Sequence, residues 1–73
     1  MIKDATVAKW VSDLMLEFGK KLDESVAEVQ NNCSNEEFVA YRKAIGRVMG
    51  DMLLEVMNPI YTAHPEIKPK ELR

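Results

Sequence analysis

Two apolar runs at three- and four-residue spacing, one on each side of a short polar turn, restrict this chain to helical folds. The first run is Val7, Val11, Leu14, Met15, Phe18, Leu22, Val26 and Val29. The second is Phe38, Tyr41, Ile45, Val48, Met49, Met52, Leu53, Val56 and Met57. Neither alternates at period two, so a sheet has no face to bury. Ser34 followed by Glu37 forms a capping box at the head of the second run, and Asp4 or Thr6 can cap the first. Asn58-Pro59 is expected to stop the second helix, because proline has no N–H and disfavours helical geometry in the residue before it. The reading is an all-α antiparallel helical hairpin with helices near 5–31 and 35–58. One extra turn, capped by Asn58 and Pro59, reaches Ala63. A hairpin domain then spans 1–65, followed by an extended, polar, solvent-exposed tail over 66–73 whose removal should leave stability unchanged.

The turn Asn31-Asn32-Cys33 is short enough to force the helices antiparallel. Pairing outward from it sets Val26 near Tyr41, Leu22 near Ile45, Phe18 near Met49, Met15 near Met52 and Val11 near Val56. Ile60 and Tyr61 then fall beside Val7, Ala8 and Val11, with the Tyr61 ring buried and its hydroxyl wet. On the polar faces Lys9/Asp13, Glu17/Lys21, Lys20/Glu24 and Arg47/Asp51 stand four residues apart and can pair.

The two apolar arcs span about 160° and 180° of their helices, wider than one neighbouring helix covers. At 73 residues, with a single cysteine, the chain has neither a disulfide framework nor the mass for a large core. Pairing of two hairpins as a homodimeric four-helix bundle is the expected remedy, with another protein as the other possible partner. Interface residues are expected at Trp10, Phe18, Arg42, Gly46, Met49, Gly50, Leu53 and Met57. Gly46 and Gly50 either admit a second backbone at close range or make room for Phe18 or Trp10 within the hairpin. Arg42 stands inside the apolar arc, where it pairs with Glu24 or Glu28, holds an anion or docks a partner. Leu16 and Leu54 project away from the stripes and suit a second contact surface.

A net charge of −2 argues against a dedicated nucleic-acid binder. Basic residues gather at Arg42, Lys43 and Arg47 and again at Lys68, Lys70 and Arg73, so a small nucleic-acid-associated, antitoxin-like regulator is the alternative reading. The lone His64 lacks the companions a metal site needs, Asp51 and Glu55 read as a solvated face, and Cys33 has no histidine nearby. No catalytic, cofactor-binding or metal-binding residue is expected. The opening residues lack the apolar run of a signal peptide, and no stretch has the roughly 20 apolar residues that span a bilayer. With Cys33 unpaired, a cytoplasmic, non-catalytic interaction or oligomerisation module is the expectation.

Overall fold

The computed structural model describes residues 1–72 and contains only helices and connecting turns among them. Helix α1 runs Ala5–Asn32, and the Asp4 carboxylate accepts the Val7 N–H at 2.9 Å as its N-cap. Helix α2 runs Asn35–Asp51 and starts with both halves of the capping box: Glu37 N–H donates to Ser34 Oγ and Ser34 N–H to Glu37 Oε1, each at 3.1 Å. These bonds favour the ionised carboxyl and hold Glu37 below its ordinary value of 4.5. A depressed carboxyl stabilises the fold above its unfolded value and loses that contribution as pH falls through its lower folded value. Acidification below 4.5 should therefore fray the first turn of α2, seen as faster amide exchange at 35–38. Ser34→Ala should produce the same fraying at neutral pH and cost about 0.5–2 kcal/mol in denaturant titration.

The second helix does not stop at Asn58. A π-helical segment, Met52–Met57, joins α2 without interruption to α3, Asn58–Ala63. Asn58 N–H bonds the Leu53 carbonyl, five residues back, and the Asn58 side chain caps nothing. Proline interrupts an α-helix because it lacks a donor and its ring presses on the carbonyl four residues earlier. The wider π turn lies immediately before Pro59, relieves that crowding and lets the rod continue. It ends at His64, whose N–H returns to the Ile60 carbonyl at 2.8 Å before Pro65 stops the run.

The extra helix builds the core. Ala8 and Ile60 are wholly buried, Met57 and Tyr61 nearly so, and Ile2, Val11, Met15, Val56 and Ile67 pack around them. Ile60 and Tyr61 dock at the open end of the hairpin as the register requires, but the Tyr61 hydroxyl is not wet. It shares a buried hydrogen bond of 2.5 Å with Ser12. Nearer the turn Tyr41 shares a half-buried hydrogen bond with Ser25 at 2.8 Å.

The segment after His64 is not an extended polar tail. It folds into 3-10 turns at Pro65–Ile67 and Lys70–Leu72, with Ile67, Lys68 and Pro69 half-buried against the hairpin. Its removal would uncover core neighbours of Ile67, so a stability cost replaces the expected neutrality. His64 fixes the strap: Nε2 donates to the Ile2 carbonyl at 2.7 Å while Nδ1 stands 3.5 Å from Glu66. The molecule measures 44 × 19 × 16 Å, a single layer of two rods.

A Cβ added at Gly19 would meet only Met49 Cε at 3.8 Å, an ordinary contact. Gly19→Ala should therefore raise stability by about 0.5–1 kcal/mol through helix propensity, measured as a higher melting temperature.

Candidate functional site: an apolar groove beside the glycine edge of the second helix

On one face of the hairpin the two helices leave a groove of 530 Å³. Helix α1 contributes Met15, Leu16 and Gly19 to it, and the second rod contributes Met49, Gly50, Met52, Leu53 and Met57. Lys20 and Asp23 stand at its α1 rim, and Leu72 of the strap at one end. Methionine side chains are unbranched and polarisable, so such a floor fits varied apolar shapes. Its polar groups are confined to one rim, which suits packing of apolar side chains better than chemistry on a polar substrate.

The expected interface residues divide in space. Met49, Gly50, Leu53 and Met57 meet in the groove, and Gly46 extends the same edge of α2 toward the turn at helical spacing. Trp10 does not join them. It is 65% exposed and lines a separate hollow with Thr6, Lys9 and Ile67. Phe18 is 46% exposed and lies about 160° round α1 from Leu16, so it belongs to the other face. The two exposed leucines also part company: Leu16 lines the groove, while Leu54, at 63% exposed, does not.

Gly46 and Gly50 make no room for Phe18 or Trp10. A Cβ built at either position meets nothing within 4 Å, so the space in front of this edge is open. Arg42 does not pair with Glu24 or Glu28. It is exposed, makes no ion pair among the described residues, and lays its guanidinium over the Phe38 ring with Cζ 5.2 Å from the centroid. Phe38 lies one turn earlier on the same helix, which makes this contact local and leaves the guanidinium edge accessible. Of the four expected i,i+4 pairs, Lys9–Asp13 forms at 2.9 Å and Lys21–Glu17 at 3.6 Å. Lys20–Glu24 and Arg47–Asp51 are not among the ion pairs of the described residues. Solvent competes well for such exposed charges, and the pairs that do form contribute little.

Among the described residues no three His, Cys, Asp or Glu side chains gather as a metal would need, and no helix is long and apolar enough to cross a membrane. Arg73, counted with the basic tail residues, lies outside the described residues. Sequence reasoning missed the Ser12–Tyr61 bond and the His64–Ile2 clamp. Ser12 carried a signal, since it lies between Ala8 and Met15 on the inward side of α1. The clamp joins residues 62 apart and depends on the path of the strap. Comparison with protein-family models, curated proteins and solved structures finds no match to this chain.

Proposed function

We propose that this chain is a non-catalytic protein–protein interaction or oligomerisation module, acting in the cytoplasm as a homodimeric four-helix bundle. The observation that carries the reading is surface area. The chain exposes 5393 Å², whereas a folded monomer of 8.3 kDa is expected to expose about 4600 Å². The excess, about 800 Å², is what one partner contributes to a standard protein–protein interface. Part of it is apolar and lies on the groove face: Leu16 and Leu53 are each more than a third exposed although they sit on helices that pair along their length. Sedimentation at micromolar concentration is expected to give twice the 8.3 kDa chain mass, with a melting temperature that rises with concentration. A cooperatively folded monomer of 8.3 kDa would refute self-association.

One observation favours the second reading, a nucleic-acid-associated regulator. Lys43 and Arg47 are exposed and make no ion pair among the described residues. Glu36, Asp51 and Glu55 stand equally exposed around them and dilute the field. That reading requires retardation of duplex DNA that weakens steeply with added salt.

A further inference from the structure

We infer that the methionine-floored groove is the dimer seam, and that its occupant is the α1 helix of a second copy, locked by two reciprocal Arg42–Asp23 ion pairs. The inference rests on the self-association proposed above and assigns it a face, an orientation and a pair of charges.

The hairpin is one layer thick, so a second copy has two broad faces on which to stack. The groove face carries the larger opportunity, because an open apolar trough is continuous there with the bare Gly46–Gly50 edge. A two-fold axis parallel to the helices sets the second rod of each copy antiparallel to α1 of the other, the arrangement of a four-helix bundle. Within the chain Gly19 lies level with Met49. An axis in this direction preserves that level, so Leu16 of the partner subunit comes to rest against Gly50 and Leu53. With no Cβ at Gly46 or Gly50, the partner's helix can approach closely there. Leu16 and Leu53 are 38% and 37% exposed in the single chain, and both become knobs in the opposite groove.

Charge complementarity selects the same arrangement. Asp23 on the groove rim and Arg42 on the glycine edge are both exposed, and neither makes an ion pair among the described residues. Face-to-face stacking brings Arg42 to within about one helical turn of Asp23 of the partner subunit, a span an arginine side chain covers. The symmetry makes the pair twice, so each copy presents one positive and one negative anchor to identical surroundings. Stacking through the opposite face would leave all four charges where they are, in water. The position of an arginine inside an apolar arc thus has a reason: in the dimer its stem lies over Phe38 while its head crosses the seam.

The test uses R42E and D23R on the full chain, with the dimer dissociation constant read by sedimentation equilibrium. Each variant alone juxtaposes like charges twice, and each should dissociate at least about tenfold more readily than the parent. Mixed in equal amounts, the two variants form a heterodimer in which both ion pairs are restored, one of them reversed. The mixture should therefore associate as the parent does. V48E, on the opposite edge of α2 at a position already 46% exposed, should leave association unchanged. A parent dimer indifferent to both charge changes, a mixture no tighter than either variant, or a dimer broken by V48E would overturn this seam while leaving self-association standing. A folded monomeric parent would overturn both.

Discussion

Ile60→Ala is expected to cost about 2–5 kcal/mol and to leave the chain largely unfolded at low concentration. Ile60 is wholly buried at the centre of the small cluster that includes Ala8, Met57 and Tyr61. Truncation removes its transfer free energy and leaves a void that helices pinned by a strap and a turn cannot close completely. Natural domains carry only about 5–15 kcal/mol in total, and chains under roughly 80 residues sit at the low end of that range. Urea titration at several protein concentrations gives the loss. Leu54→Ala is the control: Leu54 is 63% exposed, and its replacement should move the midpoint little. An Ile60→Ala protein with unchanged midpoint would mean that the open end of the hairpin is not the core.

The second large effect belongs to the Ser12–Tyr61 bond. Ser12 is 2% exposed and Tyr61 4%, so neither hydroxyl has water to fall back on. Tyr61→Phe strands the Ser12 hydroxyl, and Ser12→Ala strands the phenol; each should cost about 1–3 kcal/mol. Replacing both removes donor and acceptor together, so the double variant should be less destabilised than the sum of the singles. That non-additivity is the measurement. Strict additivity in a denaturation cycle would show that the two hydroxyls do not depend on each other. Tyr41→Phe, at a half-buried position where Tyr41 bonds Ser25, should show a weaker form of the same behaviour.

Both effects arise where local signals stop being sufficient. Asn58-Pro59 reads as a helix stop from the sequence, because proline's missing donor and ring clash are local facts. The rod instead runs on through a π turn, and in that continued helix Ile60 packs with Ala8 and Tyr61 bonds Ser12, a burial that favours continuation over the local stop. The strap shows the same competition on a smaller scale. Its prolines and charges describe an extended segment, yet Ile67 gains apolar neighbours by folding back.

The sites follow the same division. That Gly46 and Gly50 mark one edge was legible from their four-residue spacing, since a helix places such residues on one side. Whether they faced inward or outward depended on how α1 and α2 rotate about their own axes, which neighbouring side chains settle jointly. Arg42 was conspicuous in the arc, but its partner in this chain, the Phe38 ring, was one of several that the wheel allowed.

The amino-acid sequence by itself determined the two long helices, the capping box at Ser34, the antiparallel turn, and the docking of Ile60 and Tyr61 at the open end, while leaving the first cap to Asp4 or Thr6. These depend on interactions between residues a few positions apart, or on a register that the connection, which is Cys33 and Ser34 alone because α1 runs on through Asn31 and Asn32, leaves little freedom to change. Only the tertiary structure decided that the second rod passes through Pro59, that Tyr61 spends its hydroxyl on Ser12, that His64 ties the strap to Ile2, and that Trp10 and Phe18 face away from the groove. Each of these depends on the rotation of a helix about its axis or on a bond across more than 45 residues. A one-residue change in helical phase turns a side chain by about 100°, so that information resides in the packed whole rather than in any local stretch.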